Sequence, residues 1–69
     1  MTNWKPLRTF TLKIETDNAA FDDDNMAVEL NRLLVATGDQ ILRHYDGRKL
    51  DGVLHDVNGN AVGAFMLKP

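Results

Sequence analysis

Apolar residues recur along this chain at two different periods. Phe10, Leu12 and Ile14 alternate with Thr9, Thr11, Lys13 and Glu15, the period of two that predicts a half-buried strand over residues 8–16. From 22 to 47 the period becomes helical: Met26, Leu30, Leu33, Leu34, Thr37, Ile41 and Tyr45 share one broad face, with Ala27 and Gly38 on its shoulder. Between these elements Asp17-Asn18 supplies turn chemistry, because both side chains can bond nearby backbone N–H groups. Ala19, Ala20 and Phe21 form a short connector, and Phe21 is placed to fold back as a hydrophobic staple under the first helical turn.

The helix is bounded by charge. Asp22, Asp23 and Asp24 stand at its positive end, where carboxylates satisfy free N–H groups and complement the macrodipole, and Arg43 and His44 stand at its negative end. Tyr45-Asp46-Gly47 is the expected stop, Gly47 being able to take the left-handed conformation. Gly38 costs about 1 kcal/mol relative to Ala inside a helix, so either the sheet comes close there or the helix breaks. The apolar period runs from Leu34 to Ile41 without a phase shift, which favours continuity.

Val28, Val35 and Leu42 form a second stripe at seven-residue spacing, nearly opposite the first. A helix that only covers a sheet would carry charge there. Such spacing is familiar from paired helices, although three residues fall short of a sustained coiled-coil pattern and single apolar residues on a surface are common. The stripe is therefore the candidate interface, for a second copy or for a partner protein.

After Gly47 the sequence reads as a hairpin, with strands near 50–56 and 60–67 around Asn58-Gly59, a pair that suits a type I′ turn. Val62 and Phe65 are out of phase for a flat strand, and Gly63 between them predicts a bulge that returns both to the core. Leu54, Val57, Val62, Phe65 and Leu67 would then join Phe10, Leu12 and Ile14 under the helix. A right-handed crossover makes the first two strands parallel, and the apolar last strand belongs between them, antiparallel to both. The expected fold is α+β: a small β-α-β-β domain whose three-stranded mixed sheet, order 1-3-2, is covered on one face by one long helix. Residues 1–69 make a single domain, with 1–7 an irregular arm in which Trp4 covers a core edge or binds a ligand.

Composition changes this picture in two ways. With 69 residues and no cysteine the chain has only a thin core and no disulfide or thiolate metal site to reinforce it, so self-association would help. The net charge of -2 argues against a dedicated nucleic-acid binder, which usually carries a basic excess. A local patch from Arg8, Lys13, Arg43, Arg48 and Lys49 is the alternative. No run approaches a membrane span, and the first residues lack the apolar core of a signal peptide, so a cytoplasmic protein without membrane contact is expected.

Candidate chemistry is sparse. Asp56, Asn58 and Asn60 match the first three ligands of a calcium loop, but Ala61 and Leu67 stand where that loop needs glycine and a bidentate glutamate. The three consecutive aspartates point in different directions at a helix start. His44 and His55 are not forced together by their spacing. Serine and cysteine are absent, and none of the five threonines, Thr2, Thr9, Thr11, Thr16 and Thr37, has a recognisable activating base. No glycine loop precedes a helix in the manner of a phosphate site. No catalytic residue, metal or cofactor is assigned, and the expectation is a protein that is not an enzyme.

IETDNAAF at 14–21 and DVNGNAVG at 56–63, separated by a leucine-bearing helix, resemble a group of small uncharacterised bacteriophage and prophage proteins. The resemblance covers about two-thirds of the chain and rests on turn chemistry, so it implies a fold rather than an activity. Val35 and Leu42 depart from that group, which more often carries charge there. The resemblance implies a phage accessory factor in the host cytoplasm, binding a host or phage protein or itself. Nucleic-acid binding remains the alternative.

Overall fold

A computed structural model of the protein describes residues 8–69. The expected arm at 1–7, with Trp4, lies outside the described residues. Strand β1 (Thr9–Ile14) leads through a 3-10 turn (Ala19–Phe21) into helix α1 (Asn25–His44), followed by β2 (Leu50–His55) and β3 (Ala61–Lys68). The strand order is β1-β3-β2, and β3 is antiparallel to both neighbours. The fold is the β-α-β-β arrangement the hydrophobic pattern predicts. The sheet is antiparallel rather than mixed as expected: β1 and β2 run in the same direction, but β3 lies between them, so both pairings are antiparallel.

Three cross-strand rows face the helix: Phe10, Leu67 and Leu50; Leu12, Phe65 and Gly52; Ile14, Gly63 and Leu54. The register shifts between Leu54 and His55, whose partners are Gly63 and Ala61. Val62 is therefore the extra residue of a bulge, and the bulge buries both Val62 and Phe65. The ring of Phe65 lies over Gly52, where a Cβ would come within 2.6 Å of it. Gly63 is held more tightly still, because a Cβ there would strike the carbonyl oxygen of Lys13 in the adjacent strand.

The helix is shorter than its charge pattern suggests and is rolled on its axis. It begins after Asp24, whose side chain makes no capping hydrogen bond, and no acid lies within its first turn. It ends at His44, with the Tyr45 N–H donating to the Ile41 carbonyl. Gly47, at φ 96°, turns the chain toward β2. Glu29, Leu33 and Thr37 are the residues it buries, with Leu30 and Ile41 half-buried against the core. Met26, Leu34 and Tyr45, expected on the inner face, are exposed. Glu29, held by Arg32 and the Val57 N–H, takes a place on the buried side while Leu34 on the other flank is exposed, and a hydrophobicity pattern has no means of registering such partners.

The core is Ala20, Phe21, Leu33, Leu54, Val62 and Phe65. Phe10 and Val57, expected within it, are exposed. Val57 occupies the hairpin turn, and Phe10 lies toward the open end of the sheet, its ring centroid 6.4 Å from that of Phe65. Thr37 needs no distant partner, since its hydroxyl donates to the Leu33 carbonyl at 2.8 Å.

Gly38 sits in an unbroken helix, and among the described residues nothing beyond the helix's own backbone lies within 4 Å of where its Cβ would be. The sheet does not come close to it. Gly38→Ala is therefore expected to stabilise the monomer by about 1 kcal/mol, the ordinary helix-propensity difference, read as a higher midpoint in urea unfolding.

Candidate protein interface

The stripe of Val28, Val35 and Leu42 is exposed throughout, at 69%, 62% and 83% of each residue's surface. Leu34, half exposed, widens it, and Gly38 lies between Leu34 and Leu42 on the same side of the helix. The helix thus sets Leu33, Glu29 and Thr37, with Leu30 and Ile41 beside them, against the core and leaves a second apolar stripe in solvent. Heptad spacing aligns the three residues on one side of the helix, and the roll of the helix leaves that side in solvent. Leu34 could be added only once the roll was known.

Beside Val28 the surface is indented by a cavity of about 430 Å³ lined by Ala19, Ala20, Asn25, Val28, Glu29, Arg32, Val57 and Asn58. Its wall is a polar latch between helix and hairpin. Arg32 donates to both Glu29 carboxylate oxygens, at 2.9 and 2.7 Å, and also to the His55 carbonyl at 3.0 Å. The Val57 N–H donates to Glu29 Oε2 at 2.9 Å. Glu29 is held below its ordinary carboxylate value, first by the Arg32 hydrogen bonds and then by the Val57 N–H and the Arg32 charge, against the opposing effects of burial and Asp56.

Asp56 closes the other half of the latch. Its Oδ1 accepts from the backbone N–H groups of Asn58 and Asn60, both at 2.8 Å. Its Oδ2 accepts from the Asn18 side-chain amide at 2.8 Å and that of Asn60 at 3.2 Å. Burial pushes this carboxyl up, but the bonds from Asn60, Asn18 and Asn58 outweigh it and hold it below its ordinary value. Amide donors occupy both oxygens, so Asp56 organises a turn rather than presenting free lone pairs to a cation.

The turn differs from the type I′ form expected of Asn58-Gly59. The Gly59 N–H donates to the Asp56 carbonyl at 2.9 Å, and Gly59, at φ 87°, is its positive-φ residue. This is a type I turn closed by a left-handed glycine. Asp56 selects it by taking the Asn58 and Asn60 amides on one oxygen. Asn18 links this turn to the other end of the chain, since its Oδ1 caps the 3-10 turn at Ala20 N while its amide reaches Asp56. Residues 14–21 and 56–63 thus meet through this side-chain bond as well as through the Glu15 N–H, which donates to the Val62 carbonyl at 2.7 Å, and the pairing of Ile14 with Gly63.

The basic candidates divide. Arg8 and Lys49 directly precede β1 and β2, which start at the same end of the sheet, and Arg43 and Arg48 lie at the helix terminus and loop leading there. Lys13 lies at the opposite end of β1. Acids interleave with the group, Asp39 lying 3.3 Å from Arg43 and Asp51 4.0 Å from Lys49. His44 ends α1 and His55 ends β2, and among the described residues no three of histidine, aspartate or glutamate converge in a metal-holding group. No helix among the described residues is long and apolar enough to cross a membrane. Compared with protein-family models, curated proteins and solved structures, the chain matches none of them.

Proposed function

We propose that this protein is a small phage-type accessory factor that works by contact rather than catalysis, as a protein-interaction module in the cytoplasm of a host cell. The observation that carries this reading is the solvent-exposed Val28, Val35 and Leu42 stripe on a helix whose opposite side is fully employed in the fold. Exposed apolar groups aligned on one rigid element are the usual signature of a docking face. The latch of Glu29, Arg32 and Asp56 serves that face by fixing the helix on the hairpin.

Nucleic-acid binding is the weaker reading. Its support is the shared placement of Arg8, Arg43, Arg48 and Lys49, and the interleaved Asp39, Asp46 and Asp51 offset much of their charge.

Val35→Glu combined with Leu42→Lys is expected to leave the circular dichroism spectrum unchanged, since neither side chain packs in the core. In affinity capture from a bacterial lysate, a partner protein retained by the wild type should be missing with this variant, and its retention should respond little to salt. Retention of nucleic acid that falls steeply between 50 and about 200 mM salt would favour the second reading instead.

A further inference from the structure

We infer that the occupant of the stripe is a second copy of this chain, its α1 helix packed antiparallel against the first about a two-fold axis at Val35. This rests on the reading of the stripe as an interface and adds its partner and geometry. The spacing 28, 35, 42 is the same from either end, so a two-fold axis at Val35 brings Val28 of each copy onto Leu42 of the other. Self-complementarity of this kind is what an isologous contact requires. A seven-residue stripe drifts about 20° per heptad around a straight helix, which suits two helices crossing at about 20°.

Charge selects the antiparallel sense. At about 100° per residue, Arg32 and Asp39 fall on the same side of the stripe, three residues before Val35 and four after it. Antiparallel packing sets Arg32 of each copy beside Asp39 of the other, whereas parallel packing turns that flank toward the uncharged Asn31, Leu34 and Gly38 flank of the other copy and makes no such pair. The ends agree. Asp22, Asp23 and Asp24 lie just ahead of the helix, and Arg43, Arg48 and Lys49 lie at or beyond its far end, so reversal of one helix brings acid to base at both ends of the contact.

Gly38 supplies the remaining observation. It carries a helix-propensity cost with no neighbour among the described residues to account for it. On the other side of the stripe from Arg32, it would face Asn31 and Leu34 of the second copy, where a missing side chain lets the two backbones approach. The stripe is about 21 Å long at 1.5 Å per residue, a small contact, so a reversible dimer is expected rather than a permanent one.

The absence of cysteine makes the geometry directly testable. Oxidation of a mixture of Val28→Cys and Leu42→Cys proteins is expected to yield mainly the mixed disulfide dimer, while each protein alone cross-links several-fold less. Efficient cross-linking of each variant with itself would overturn the antiparallel arrangement. Sedimentation equilibrium of the unmodified chain should show a monomer–dimer equilibrium, and Gly38→Leu should shift it at least tenfold toward monomer while the spectrum stays helical. A wild type that remains monomeric at millimolar concentration overturns the second-copy assignment. In that event, a captured partner protein that Val35→Glu with Leu42→Lys releases would leave the interface reading standing, and a captured partner that the variant retains would overturn that reading too.

Discussion

Gly63→Ala is expected to abolish cooperative unfolding at 25 °C, or to lower the midpoint by more than about 15 °C. The added methyl would strike the Lys13 carbonyl oxygen and lie 3.1 Å from Ile14 Cα and 3.2 Å from Ile14 Cγ1. Two of these are backbone atoms of the paired strand, so no side-chain rotation relieves the overlap, and β1 must move away from β3. Ordinary overpacking costs about 1–3 kcal/mol. A domain of this size holds roughly 3–10 kcal/mol in total, and loss of the β1 pairing also uncovers Leu12 and Ile14. Gly38→Ala is the internal control, a substitution of the same chemistry with the opposite expected sign. Heat unfolding of both variants followed by circular dichroism decides the matter: a Gly63→Ala midpoint within a few degrees of wild type would mean that β1 does not lie against Gly63 as described.

That asymmetry between two glycines shows where sequence reading succeeds and where it stops. The bulge beside Gly63 was legible because Val62 and Phe65 are out of phase and only an extra residue can bury both. The strand order followed from the apolar character of the last strand and the handedness of crossovers. Gly38 was legible as a cost, but whether the sheet or solvent lay beside it was not. The roll of the helix depends on Glu29, whose burial is stabilised by Arg32 on the same helix and by an amide twenty-eight residues away in the chain. No local period encodes such a partner. The type I turn at Asp56 was missed for a related reason, since Asn58-Gly59 by itself favours I′ and the preceding carboxylate decides otherwise. The alignment of Val28, Val35 and Leu42, by contrast, was readable from spacing, and their exposure follows from the side on which the helix buries Glu29, Leu33 and Thr37.

The Asp56 carboxylate should accordingly be the polar group whose loss does most damage. Asp56→Ala removes the acceptor for two backbone amides of the turn and two side-chain amides at once, and a deletion that leaves several donors unmatched is worse than the loss of any one bond. Asp56→Asn keeps the shape but turns one acceptor oxygen into a donor facing other donors, so it should come close to the alanine variant in midpoint. Adding Asn18→Asp to Asp56→Asn reverses the polarity of their contact, and partial recovery is expected because the Asn60 amide stays unmatched. The same carboxylate sets the acid limit. Asp56 and Glu29 both have folded values below their unfolded ones, so their stabilisation is complete above the unfolded carboxylate range, near about pH 4, and is lost as pH falls through the folded values. Urea midpoints measured from pH 7 to pH 2 should be level above about 5 and fall below it. In Asp56→Ala and Asp56→Asn the fall should be shallower, with the remainder due mainly to Glu29. A fall as steep in those variants as in wild type would show that Asp56 is not the group being protonated, and would remove it from the centre of the latch.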